Sequence, residues 1–128
     1  MPLVRIDLNA GKPAQYRRTM GDIVYRAMLE VLKVPQDDKF QVLTEHPPGD
    51  LNVAKSYLGI EHTSDVALIQ ITLNVGRSIE QKRAFYRRIA DDLRAQLGLR
   101  CEDVIINLVE TGKENWSFGN GEAPYATA

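Results

Sequence analysis

Cysteine is almost absent from this chain: Cys101 is the only one in 128 residues. No internal disulfide can form, and no multi-thiolate metal site can be assembled. Cys101 lies near neither histidine in sequence and reads as a buried or incidental thiol rather than a nucleophile. Histidine is scarce too. His46 and His62 stand at no metal-ligand spacing from Cys101 or from acids, so both read as loop histidines, His46 being the better candidate to line a pocket. No metal site is therefore expected. An excess of either charge is also missing, with 16 basic against 17 acidic residues and a net charge of -1. No global field recruits nucleic acid or a membrane surface. No apolar run approaches the roughly 18 residues of a spanning helix. Arg5 and Asp7 interrupt any signal-peptide core near the start. The expectation is a cytoplasmic, single-domain chain spanning 1–128. A P-loop, a dinucleotide fingerprint and a Ser-His-Asp signature are all lacking.

What is present begins with Met1-Pro2-Leu3-Val4-Arg5-Ile6-Asp7-Leu8-Asn9. Methionine is normally trimmed before a small residue, which would leave Pro2 with a free secondary amine on a rigid ring. Pro2, Val4, Ile6 and Leu8 share one parity, and Arg5, Asp7 and Asn9 the other, which is a strand pattern. A strand holds its first residue where most chain ends fray. The plain alternative is that a small residue at this position is commonplace.

A shift of 65 residues lays the first half on the second without gaps. Ile6-Asp7-Leu8-Asn9-Ala10-Gly11-Lys12 meets Ile71-Thr72-Leu73-Asn74-Val75-Gly76-Arg77. Arg18 falls on Arg83, Leu32 on Leu97, Asp38 on Asp103 and Glu45 on Glu110. A repeat of this size is one supersecondary unit used twice. Each unit, about 2–45 and 66–110, reads strand, turn, helix, strand. The first has strands near 3–8 and 40–44 and a helix over 15–32, with Pro13 in the first helical turn. The second has strands near 66–73 and 104–109. Its helix starts at a Ser78–Gln81 capping box and stops at Gly98. Right-handed crossovers make each strand pair parallel. The fold class is α+β in two layers, a tandem β-α-β repeat forming a four-stranded mixed sheet with two helices on one face. The other sheet face needs a partner, which favours a homo-oligomer. The tail, 111–128, reads as a short hairpin that packs on a neighbour or over a pocket, because Trp116-Ser117-Phe118-Gly119-Asn120-Gly121 sets aromatics among glycines on a polar stretch.

Duplication also sorts the candidates for chemistry. Pro2 maps onto Ala67, an internal residue, so the second copy cannot repeat an N-terminal amine. That amine can serve as a neutral base or a cationic acid near pH 7, as its neighbours dictate. Asp38 precedes a strand that should neighbour the first, but Asp103 holds the same place, so a turn carboxylate is an equal reading. Arg77 sits just ahead of a helix start, where guanidinium and free amides favour an anionic oxygen ligand. Lys12 is its counterpart. A solvated loop cation is the plain reading of both.

These features together resemble the tautomerase superfamily, and within it the malonate semialdehyde decarboxylase group. The resemblance rests on Pro2-Leu3-Val4-Arg5-Ile6-Asp7-Leu8, Val34-Pro35-Gln36-Asp37-Asp38-Lys39-Phe40-Gln41, Gly76-Arg77-Ser78-Ile79-Glu80-Gln81-Lys82 and Asn115-Trp116-Ser117-Phe118-Gly119. It implies that Pro2, Asp38 and Arg77 are catalytic, with Arg77 gripping a substrate carboxylate. It implies that Trp116, Phe118 and Tyr125 line the pocket. It implies a homotrimer acting on a small carboxylate without a cofactor. The implied reaction is decarboxylation of a 3-oxo acid such as malonate semialdehyde, with a hydratase side activity. Tautomerisation of 2-oxo acids such as phenylpyruvate is the alternative, and a non-catalytic trimeric binding protein the alternative of another class. One departure stands out: some family decarboxylases carry two arginines one residue apart, whereas this chain has Val75 and then Arg77.

Overall fold

The computed structural model describes residues 2–126. Trimming of Met1 falls outside the described residues. Strand β1 (Leu3–Asn9) leads into helix α1 (Ala14–Glu30) and strand β2 (Gln41–His46). A two-residue hairpin, β3 (Ser56–Tyr57) and β4 (Ile60–Glu61), bridges to the second unit. That unit comprises β5 (Ala67–Asn74), α2 (Ile79–Leu97) and β6 (Val104–Thr111). The main sheet runs β2-β1-β5-β6. β1 is parallel to β2, and β5 to β6, as the crossovers require. β1 and β5 meet antiparallel at the centre, so the two units are related by an approximate two-fold through the sheet. This is the expected two-layer α+β architecture.

Parity decides which face is covered. Val4, Ile6 and Leu8 of β1 and Ile69, Ile71 and Leu73 of β5 are buried beneath the helices. Met20, Ile23, Val24, Ala27 and Met28 supply the inner face of α1, and Phe85, Ile89 and Leu93 that of α2. No helix among the described residues is long and apolar enough to cross a membrane. The opposite sheet face carries no helix. Leu3, Val42, Leu68, Ile105 and Val109 alternate there with polar residues.

Local chemistry sets the ends of the elements. At Ser78 the capping box is complete: its hydroxyl accepts from the Gln81 amide at 3.1 Å, and Gln81 Oε1 accepts from the Ser78 amide at 3.1 Å. Gly98 caps α2 in the left-handed region at φ 67. Helix α1 ends two residues short of the expected 32. There the chain turns back instead, with the Val34 amide donating to Met28 O at 3.1 Å. Pro13 is the residue before α1 rather than part of its first turn. Gly21 lets β2 approach: Gln41 Nε2 donates to Gly21 O at 2.8 Å. A Cβ on Gly21 would meet Gln41 Oε1 at 2.7 Å.

The tail differs from the expected hairpin. Beyond Thr111, where β6 ends, its described residues contain a 3-10 turn at Lys113–Asn115 and no strand. Side chains order it instead. Asn115 Nδ2 donates to Thr111 Oγ1, and the Trp116 indole reaches back to β5.

Candidate active site

The register of β1 brings the sequence candidates to one end of the sheet. Val4 pairs with Gln41, and its amide donates to Phe40 O at 2.9 Å. Continuing that ladder sets Pro2 beside Lys39, one residue from Asp38. On the other side Leu3 pairs with Thr72, which sets Pro2 opposite Leu73, near the end of β5. Pro2 is buried. Arg77 follows β5 across the turn at Val75 and Gly76. The tail leaves β6 at the same end, since the Val75 amide donates to Thr111 O at 3.2 Å. Strand polarity alone thus gathers four segments around Pro2: the loop before β2, the turn after β5, the start of β1 and the tail after β6.

Aromatic side chains build one wall. Trp116 and Phe118 stack with ring centres 5.5 Å apart and planes 9° from parallel. Phe40 lies 5.5 Å from Phe118, and Tyr125 meets it edge-on at 5.8 Å. A cleft of about 270 Å³ opens between Leu3, Phe40, Trp116, Ser117 and Phe118. Phe40, Phe118 and Tyr125 remain 41%, 36% and 38% exposed. An apolar group of this kind held in solvent marks a contact or ligand site. Phe40 was not a sequence candidate. The available signal was its place two residues after Asp38, at the mouth of a strand.

The acidic loop is held firmly. The Asp37 amide donates to the Tyr25 hydroxyl at 3.1 Å, and Asp37 takes φ 74. Lys39 lies 3.5 Å from Asp22 and 5.2 Å from the Tyr25 ring centre. Asp38 itself is half-buried, and its carboxylate has no hydrogen-bond partner among the described residues. Arg77 is half-buried and anchored by carbonyls, donating to Leu32 O at 3.3 Å and Asn74 O at 3.4 Å. Both bonds are long, and among the described residues no carboxylate pairs with the guanidinium.

The second copy uses the matching residues otherwise. Asp103 is fully buried. It accepts from the Thr63 amide at 2.7 Å and the Thr63 hydroxyl at 2.5 Å, with Arg100 at 3.5 Å. Lys12 pairs with Asp65 at 3.2 Å, at the far end of the sheet. Burial raises the Tyr16 phenol there above its ordinary range, against the opposing charge of Lys12. His46 also lies at that end, its Nε2 2.6 Å from Asp7 Oδ1. His62 Nδ1 lies 2.7 Å from Ala54 O. Neither histidine joins the cleft. Cys101 is half-buried on the far edge, 3.5 Å from Arg87. Among the described residues no three His, Cys, Asp or Glu side chains are grouped to hold a metal.

Two family models, both described as tautomerase enzyme, match residues 38–119 and 2–59. A probable tautomerase of Bacillus subtilis (strain 168), YusQ, is 38% identical over 96% of this chain and 97% of its own. Two solved structures superpose with a TM-score of 0.88. One is a malonate semialdehyde decarboxylase described with decarboxylase and hydratase activities, 32% identical over 96% of this chain and 95% of that one. The other is the FG41 malonate semialdehyde decarboxylase inhibited by 3-bromopropiolate, 37% identical over 96% and 93%.

Proposed function

From the premise that the chain belongs to the tautomerase superfamily, in its malonate semialdehyde decarboxylase-like group, we propose that it decarboxylates a small 3-oxo acid without a cofactor. The observation that carries this reading is the contrast between the paired aspartates. Asp103 is consumed by Thr63, whereas Asp38 has no partner among the described residues and stands one residue from the register position beside Pro2. A carboxylate there favours the charged form of a Pro2 amine.

The chemistry follows from charge. Arg77 takes the substrate carboxylate and holds it out of the carbonyl plane. Cationic Pro2 donates a proton to the aldehyde oxygen. The bond between the carboxylate carbon and the α-carbon breaks, and its electron pair forms the enol double bond as CO2 departs. The enol then takes a proton from solvent at the α-carbon while its O–H proton returns to the Pro2 amine, which leaves the aldehyde and restores the cationic proline. Trp116 and Phe118, with Tyr125 beside them, exclude water from the carboxylate and favour its loss. Malonate semialdehyde fits this scheme, and attack of water on an activated double bond would give the hydratase side reaction.

Tautomerisation of a 2-oxo acid such as phenylpyruvate is the second reading. It is favoured by Val75 standing where some decarboxylases carry another arginine, and by the curated relative's name. There a neutral Pro2 would abstract the α-proton. A nitrogen NMR titration of the Pro2 amine in Met-trimmed protein separates the two. A pKa well above the roughly 8 of an ordinary terminal amine is expected. A value well below it overturns decarboxylation in favour of tautomerisation. A protein that turns over neither substrate class would be a binding protein, the third reading.

A further inference from the structure

The two repeats use their paired asparagines in opposite senses. Asn9 and Asn74 each end the first strand of their repeat. Asn9 donates its amide nitrogen to Ser64 O at 3.0 Å, joining two loops at the far end of the sheet. Asn74 accepts instead: the indole Nε1 of Trp116 donates to its Oδ1 at 2.7 Å. An indole nitrogen can only donate, so the amide is fixed with its oxygen toward Trp116 and its nitrogen turned away. Among the described residues that nitrogen has no acceptor. No buried side-chain polar atom lacks a partner there, so this nitrogen keeps access to the solvent-filled side. The backbone carbonyl of the same residue accepts from Arg77 at 3.4 Å. Its neighbour Leu73 stands opposite Pro2 in the continued register. One residue thus touches the aromatic wall and the arginine at the end of the sheet that holds Pro2.

We propose that Asn74 orients the ligand in this site. Trp116 locks its amide oxygen, and its amide nitrogen donates to an oxygen of a small carboxylate held by Arg77. Val75 next to it is 63% exposed and carries no donor. With a single guanidinium in the loop, the amide supplies a second, neutral donor. The ligand class that suits this pair is a monocarboxylate with another oxygen close by, rather than a dianion needing two cations. The inference rests on the carboxylate-binding reading of the site, not on which reaction follows.

The test uses the full chain and its single tryptophan. 3-Hydroxypropanoate, a monocarboxylate with a second oxygen and no carbonyl through which CO2 could be lost, is titrated while Trp116 emission and bound heat are read. Wild-type protein is expected to bind it with a change in emission. Asn74→Ala should shift Trp116 emission even without the probe and weaken binding about tenfold, the loss of roughly one hydrogen bond to a charged group. Asn74→Asp keeps an acceptor for the indole but loses the donor and adds a repelling charge. It should retain the wild-type emission and weaken binding more than tenfold. Adding Trp116→Phe to Asn74→Ala should cost less than the sum of the two single changes. Wild-type affinity in a folded Asn74→Asp protein overturns the proposal, as does unchanged emission in Asn74→Ala or failure of wild-type protein to bind the probe. Turnover assays are read separately. Absence of 3-oxo-acid turnover by the wild-type protein, with these binding effects intact, would overturn the reaction assigned above and leave Asn74 in place.

Discussion

At the scale of single residues the duplication is an internal control. Asp38 and Asp103 occupy the same place in two copies of one unit, yet their surroundings assign them different work. Asp103→Asn replaces a carboxylate oxygen with a donor facing the Thr63 amide. A buried group left mispaired costs about 2–4 kcal/mol, and the melting temperature should fall by on the order of 10 °C. Asp38→Asn breaks no hydrogen bond among the described residues, and the melting temperature should stay within about 2 °C. On the proposed function its effect falls on the reaction instead. Without the neighbouring charge the Pro2 amine of that proposal should lose its proton more readily. The alkaline limb of the kcat profile should then move about one pH unit lower, for roughly 1.4 kcal/mol of lost interaction. Calorimetry and a pH-rate series on the two variants check both halves. An equal loss of stability in both would return Asp38 to a turn carboxylate. The cations divide in the same way. Arg77→Ala should lower kcat/KM by about 10²–10³, as expected for charge-assisted bonds to a carboxylate. Lys12→Ala should change it less than about threefold, because Lys12 is paired with Asp65 and half-exposed at the opposite end.

At the scale of elements, the strands and helices were legible because their signals are local. Val4, Ile6 and Leu8 alternate within β1, the apolar stripe of α2 recurs from Phe85 to Leu93, and Ser78 with Gln81 marks a helix start. These signals carry energies that can be checked. Ser78→Ala removes one side of the capping box and should cost about 1 kcal/mol. Gly98→Ala places a Cβ on a left-handed residue and should cost about 1 kcal/mol as well. Denaturant unfolding of the two variants and their double should show near-additive losses, since the sites sit at opposite ends of α2. What was not legible depends on tertiary contacts. The tail reads as a hairpin because its aromatics stand among glycines on a polar stretch, but its order comes from Trp116 reaching Asn74 across the sequence. Phe40 reads as an ordinary strand residue until the parallel register lays it beside Leu3 and the tail brings Phe118 onto it. Asn74 was concealed by the repeat itself: Asn9 matches it, and a residue present in both copies reads as part of the fold. Only the hydrogen-bond partners distinguish the two.

At the scale of the whole molecule, the sheet has one face too many for a lone chain. Helices cover the face of Val4, Ile6, Ile69 and Ile71, all buried. The other face sets Leu68 between Asp7 and Ile105 in the ladder, with Val42 and Val109 still 38% and 40% exposed toward the edges. Arg5, the Asp7–His46 pair and the Gln70–Asn107 pair break this face into a mixed surface rather than one greasy patch. Such a surface suits association with copies of itself better than insertion into lipid, since polar pairs can register against their equivalents. The homotrimer implied by the family resemblance predicts a solution mass three times the 14.4 kDa of one chain. Leu68→Glu tests the route of assembly. Its side chain points away from the core, so the helix-covered layer and the far-UV circular dichroism should persist. A buried charge at the centre of each interface should drive the mass down to that of one chain in sedimentation equilibrium at micromolar concentration. A wild-type chain that sediments as a monomer would leave this face without a partner, and a Leu68→Glu trimer would move the interface to another surface, such as the exposed β3–β4 hairpin with Tyr57 and Leu58 at its tip.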